Sequence, residues 1–91
     1  MFFFNFNTNI QDSKGEVASL VKKMRKAQNI TQDDLAIKLN LSRATIQNVE
    51  AGKNFNIDTL LLIFQYFEQL KSFNSFIQEK SMEYDNLDSL Y

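Results

Sequence analysis

Cysteine, histidine and proline are all absent from the 91 residues, and glycine occurs only at Gly15 and Gly52. Without cysteine and histidine there is no disulfide staple, no thiolate or imidazole metal ligand, no nucleophilic thiol and no histidine acid or base. The expectation is therefore a protein without metal, without cofactor and without catalytic residues, and the lack of disulfides suits a reducing compartment, with the cytoplasm as the default. Long apolar runs are missing too. The longest, Leu60 to Phe64, falls far short of the roughly 20 residues that cross a bilayer. The head, Met1-Phe2-Phe3-Phe4-Asn5-Phe6, carries neither a basic region nor a small-residue cleavage site, so a soluble, unprocessed chain with no membrane partner is expected. What remains is a chain with 44% hydrophobic residues. That is enough for one small core, stabilised by helix packing or by oligomerisation.

The net charge of -1 conceals an asymmetry. Lys14 to Lys53 contains eight basic and four acidic residues, whereas Asn54 to Tyr91 sets Lys71 and Lys80 against Asp58, Glu68, Glu79, Glu83, Asp85 and Asp88. Two readings stand: chance, or two partners of opposite character, one polyanionic and one basic.

Phe and Asn interleave over the first nine residues, either as a docked or frayed tail or as an arm that reaches a second subunit. Helical periodicity then takes over. Val17, Leu20, Val21 and Met24 place one apolar stripe on a helix from about Gly15 to Ala27. Thr31 is an N-cap with Asp34 at the capping-box position, and it opens a short helix in which Leu35, Ala36 and Leu39 share a face. Asn40 tolerates the left-handed conformation that ends such a helix. Ser42 caps the next helix, with Ile46 and Val49 one turn apart, and Gly52 terminates it. Asn56 caps a strongly apolar helix from Ile57 to Tyr66 or Phe67, and Leu70, Phe73 and Ile77 mark a fifth.

Two short helices joined by a tight Asn40-Leu41 turn form a helix-turn-helix candidate. The motif needs a small residue where the helices approach, supplied by Ala36. It needs a residue tolerant of positive φ at the turn, supplied by Asn40, and apolar residues that seat the second helix, supplied by Ile46 and Val49. With those two pointing inward at 100° per residue, Ala44, Gln47 and Asn48 face outward, flanked by Arg43 and Thr45. Amides and a guanidinium suit bidentate contacts with purine edges in the major groove, and a small Ala admits a thymine methyl.

The run Ile30-Thr31-Gln32-Asp33-Asp34-Leu35-Ala36, then Leu39-Asn40-Leu41-Ser42-Arg43-Ala44-Thr45-Ile46 and Val49-Glu50-Ala51-Gly52-Lys53, resembles the Cro/lambda-repressor (XRE) helix-turn-helix. The resemblance runs from about Val17 to Leu70. It departs at Asn40, where the family usually has Gly. The resemblance implies an all-α, five-helix repressor-type domain over 15–80, with the motif at 31–50, preceded by a Phe-rich N-terminal arm over 1–14 and followed by an acidic tail over 81–91. It implies that Gln32 touches the DNA backbone and braces the recognition helix. Lys53, Asn54 and the amides after Asn56 occupy the second phosphate-binding position, and a helix N-terminus favours an anion there. Arg25 and Glu50 match a structural salt bridge. Lys22, Lys23 and Lys26 read as a solvated face that adds to the positive field.

In the fourth helix Leu60, Ile63, Phe64 and Phe67 form one apolar face, while Leu61, Leu62 and Tyr66 lie largely on the other. A helix apolar nearly all round is covered on both sides, either by the fifth helix or by a second subunit, which makes Leu61, Leu62 and Tyr66 candidate dimer or partner contacts. Met82, Tyr84, Leu87, Leu90 and Tyr91 punctuate the acidic tail, which is either disordered or a partner-binding segment. The layout is similar to the HipB-like antitoxins, which implies an autorepressing DNA-binding homodimer on a palindromic double-stranded operator that also holds a kinase-type toxin. Phage-type repressors and restriction-modification controllers share this layout. A protein-interaction adaptor is a further class, but the basic and amide positions it would have lost are present. An enzyme lacks support, since the carboxylates are scattered on solvated helix faces.

Overall fold

The computed structural model describes residues 8–88. They form five helices: α1 (Ile10–Ala27), α2 (Gln32–Leu39), α3 (Arg43–Glu50), α4 (Ile57–Tyr66) and α5 (Leu70–Asp88), with no strand among the described residues. Four of these helices start on an N-cap side chain that accepts from the backbone N–H three residues on: Asn9 from Asp12, Thr31 from Asp34, Ser42 from Thr45 and Asn56 from Thr59. At Asn9 and Thr31 the aspartate also returns the bond, closing a full capping box. The ends of α1 to α4 likewise share a device, a left-handed residue at Asn29 (φ 56), Asn40 (φ 55), Gly52 (φ 72) and Glu68 (φ 60). Each turn lets a following N–H reach back to a carbonyl of the last helical turn, as Lys53 N does to Asn48 O at 2.9 Å and Gln69 N to Phe64 O at 2.7 Å.

α1 and α2 both pack on α3, α4 packs on α2, and α5 leans on α4. Between them Val21, Leu35, Ala36, Leu39, Ile46, Val49, Ile63 and Phe67 form one buried cluster, with Val17, Met24, Leu41, Phe55 and Leu62 among the residues against its edge. Val21, Leu35, Ile46, Val49 and Ile63 are fully sealed from water. Each contributes about 1.5–3 kcal/mol by burial, and they are the reason eight-residue helices, too short to persist alone, are held in place.

The structure departs from the sequence expectations in α1 and adds to them in α5. The first helix begins at Ile10, not near Gly15, because the Asn9–Asp12 capping box nucleates it one turn and more upstream. Residues 10–14 of the expected arm are therefore helical, and Phe2, Phe3, Phe4 and Phe6 lie outside the described residues. The buried stripe of α1 runs through Ala18 and Val21, and Leu20 is 43% exposed. The fifth helix continues to Asp88, so the described part of the acidic tail is helical. Ile77, expected with Leu70 and Phe73 to mark the fifth helix, lies within α5 and is 49% exposed. Leu90 and Tyr91 lie outside the described residues.

Candidate nucleic-acid interface

The geometry of α3 is set by its two faces. Ile46 and Val49 are wholly buried, which fixes the helix's rotation and turns Arg43, Ala44, Gln47 and Asn48 to solvent. Thr45 is half-buried, and its hydroxyl lies 2.8 Å from Ser42 Oγ at the helix start. The outward surface therefore offers two side-chain amides, a methyl and a guanidinium on one eight-residue helix.

Both ends of α3 are held by other elements. At its C-terminus the Glu50 carboxylate is 2% exposed and receives Arg25 in a two-pronged contact, Nε to Oε2 at 2.7 Å and the Arg25 Nη2 to Oε1 at 2.9 Å. Gln32, the first residue of α2, donates its Nε2 to the same Oε1 at 3.1 Å. Arg25 also donates to the Ile30 carbonyl at 2.9 Å, tying the α1–α2 turn to the cluster. Burial by itself pushes the Glu50 carboxyl up. The hydrogen bonds from Arg25 and Gln32 and the positive charges of Arg25 and Lys22 together outweigh it and hold the group below the usual range. The Glu50 bond in turn raises Arg25 against its partial burial. Gln32 thus braces α3 directly.

At the other end Arg43 Nη1 lies 3.3 Å from Asp33 Oδ2 in an ion pair whose side chains are more than half exposed. Arg25, Lys26, Thr31, Gln32, Asp33 and Arg43 are among the residues lining a shallow concavity of about 760 Å³ at the start of α2. Arg25 and Arg43 are each paired there with a carboxylate, Glu50 and Asp33, so the positive field of the concavity is partly neutralised.

Lys53 and Asn54 occupy the exposed loop between α3 and α4. The Asn54 Oδ1 accepts from Lys14 Nζ, and Gln11 Nε2 donates to the Gly52 carbonyl at 3.1 Å. Lys14 and Gln11 lie within the stretch expected as the arm, outside the expected site residues. The signal was present as the Asn-x-x-Asp pattern of the Asn9–Asp12 capping box. Lys26, read as part of a solvated face, is exposed but lines the concavity beside Gln32 and Arg43. Leu61, Leu62 and Tyr66 are half-buried within their own chain. Leu62 and Tyr66 pack against the core cluster, and the Tyr66 ring meets Phe67 edge-on with centroids 5.0 Å apart.

Residues 21–69 match the Helix-turn-helix family model. Among solved structures, the chain is similar to a tyrosine-to-phenylalanine variant of the restriction-modification controller protein C.Esp1396I. The identity is 35% and the TM-score 0.58, over 72% of this chain and 87% of that one. No curated protein matches at a significant level. No helix among the described residues is long and apolar enough to cross a membrane.

Proposed function

This chain belongs to the XRE-type helix-turn-helix family of DNA-binding transcriptional regulators, and from that premise we propose that it binds a palindromic operator as a homodimer, with α3 in the major groove. The observation that carries this reading is the two-faced α3: Ile46 and Val49 buried, Arg43, Ala44, Gln47 and Asn48 exposed, and the helix end clamped by Arg25, Gln32 and Glu50. Gln47 and Asn48 have both donor and acceptor atoms, as bidentate adenine recognition requires, and Arg43 suits a guanine edge or a phosphate. Thr45 lies between them. Lys53, Asn54 and the face of Gln32 that looks away from Glu50 fit backbone positions, which set register without reading sequence. Two copies related by a two-fold axis would place their α3 helices in successive major grooves, roughly 34 Å apart.

Two operon settings fit such a regulator. Similarity to a restriction-modification controller favours a controller that times the expression of a nuclease and a methyltransferase. The autorepressing antitoxin reading, with a kinase-type toxin as second partner, draws instead on the strongly apolar α4 that follows the motif. A cytoplasmic location accords with both.

Binding of selected operator and random duplexes at two salt concentrations tests the assignment. Gln47→Ala or Asn48→Ala is expected to cost about 1–3 kcal/mol on the operator and little on random DNA, whereas Lys53→Ala weakens both and lowers the salt slope by about 1. Equal losses on the two duplexes for Gln47→Ala and Asn48→Ala would remove the base-reading role of α3.

A further inference from the structure

α1 starts at Ile10, whereas the match to the family begins at residue 21, so residues 10–20 lie ahead of the shared region. Two side chains of this stretch reach the α3–α4 loop. Gln11 Nε2 donates to the Gly52 carbonyl at 3.1 Å, and Lys14 Nζ donates to Asn54 Oδ1. Set three residues apart, Gln11 and Lys14 share the helix face that continues into the buried Ala18. Asp12 and Glu16, each two residues from Lys14, lie about 160° round the helix, on its opposite side.

The loop end of this contact borders the proposed DNA-reading surface. Asn54 lines a concavity of about 280 Å³ together with Thr45 and Asn48 of α3 and with Asn56 and Thr59 at the start of α4. Asn48 is one of the two outward amides of α3, so the surface continues from it across Asn54 to Lys14 on α1. Charge sets this edge apart from the start of α2. There Arg25 and Arg43 are each paired with a carboxylate, whereas among the described residues no carboxylate lies within ion-pair distance of Lys14 or Lys53.

Hydrogen-bond chemistry determines what the pair offers. An ammonium has three donors and no acceptor, so the Asn54 amide turns its oxygen to Lys14 and presents its nitrogen, with two donors, elsewhere. Lys14 itself gives one donor to Asn54 and keeps two. Phosphate oxygens accept hydrogen bonds and are bound most strongly by charged donors.

We propose that Lys14 is a DNA-backbone contact: with Lys53 and Asn54 it forms a phosphate site that the added turns of α1 complete. Its ammonium neutralises the phosphate and sets the Asn54 amide to donate to the same group. This rests on the reading of α3 as the helix in the major groove, and it extends the backbone footprint of that reading onto α1. A phosphate is the occupant, not a base edge, because donors and positive charge suit any sequence's backbone, while the amides that match a base are on α3.

The test measures affinity for operator and random duplexes over a range of salt concentrations, for the parent and for Lys14→Gln, Lys14→Ala and Lys53→Ala, with thermal unfolding of each as a check on folding. Glutamine at position 14 keeps a donor for Asn54 and loses the charge. Lys14→Gln is expected to lower the slope of log affinity against log salt by about 1 for each subunit bound, on both duplexes alike, a loss of about fivefold per subunit at roughly 0.15 M salt. Lys14→Ala is expected to show the same slope as Lys14→Gln but lower affinity at every salt concentration, because Asn54 is released as well. In the parent, the Asn54 side-chain amide resonances are expected to shift on addition of random duplex. A parental slope in Lys14→Gln, with Lys53→Ala lowered, overturns the Lys14 contact and leaves the DNA-binding reading intact. Equal affinities for Lys14→Gln and Lys14→Ala, or an unshifted Asn54 amide, overturn the positioning of Asn54. A parent that binds neither duplex removes the DNA-binding reading and the contact with it.

Discussion

Arg25 reaches from α1 to the last residue of α3, its Nε 2.7 Å from Glu50 Oε2, with side chains only 12% and 2% exposed. The pair joins α1 to α3, and Gln32 adds a third element through Glu50 Oε1. A buried ion pair gains little over a well-packed apolar substitute, but removing one partner strands the other, which costs about 3–5 kcal/mol. Arg25→Met is therefore expected to be among the most destabilising single changes outside the apolar core, measured by urea unfolding.

The same carboxylate gives a pH dependence of known sign. The folded Glu50 is held below its ordinary value of 4.5, so the unfolded chain binds its proton first as pH falls. The stability it supplies is fully present above about pH 4.5 and is lost as pH drops through the lower, folded value. Asp34, held down by the Thr31 backbone and hydroxyl bonds, acts in the same direction. The thermal midpoint is expected to fall between pH 5 and pH 3 more steeply in the parent than in Glu50→Gln, with Asp34 accounting for part of the slope that remains.

Gly15 lies inside α1 and a Cβ there would meet nothing within 4 Å. Gly15→Ala is expected to stabilise by about 0.5–1 kcal/mol, because it removes freedom from the unfolded chain without a clash. Thermal unfolding checks it. The same substitution at Gly52, where φ is +72°, is expected to destabilise.

Asp33 places a negative charge 3.3 Å from Arg43 at the edge of the proposed DNA-facing surface. Such an exposed pair adds about 0.2–1 kcal/mol at most, so the charge matters more for binding than for folding. Asp33→Asn is expected to tighten binding to operator and random DNA alike, by up to about fivefold at low salt, and the gain is expected to fade as salt rises. A titration series by fluorescence anisotropy measures it.

Lys14 and Gln11 latch the α3–α4 loop onto α1 through the Asn54 side chain and the Gly52 carbonyl. Lys14→Ala and Gln11→Ala are each expected to cost about 0.5–1.5 kcal/mol and to speed amide exchange at Lys53 and Asn54 while leaving exchange in α2 unchanged. Hydrogen-exchange spectra of the two variants test this.

The sequence by itself determined what depends on neighbours within about one turn. Thr31 with Asp34, Ser42 with Thr45 and Asn56 with Thr59 start their helices through bonds spanning three residues. Asn40 and Gly52 end theirs by adopting a conformation most residues avoid. The spacing of Leu35, Ala36, Leu39, Ile46 and Val49 then specifies which faces close on the core. The start of α1 was equally local and was missed because the apolar stripe begins only at Val17, well after the Asn9 cap. Tertiary structure decided the rest, since the Gln32–Glu50, Lys14–Asn54 and Gln11–Gly52 bonds join residues 18, 40 and 41 positions apart. No periodicity encodes such pairs, which arise only when α1, α2 and α3 meet at fixed angles. The exposure of α5 has the same origin: periodicity marks Leu70, Phe73 and Ile77 as a face, but only the end of α4 determines where that face runs out of cover in its own chain.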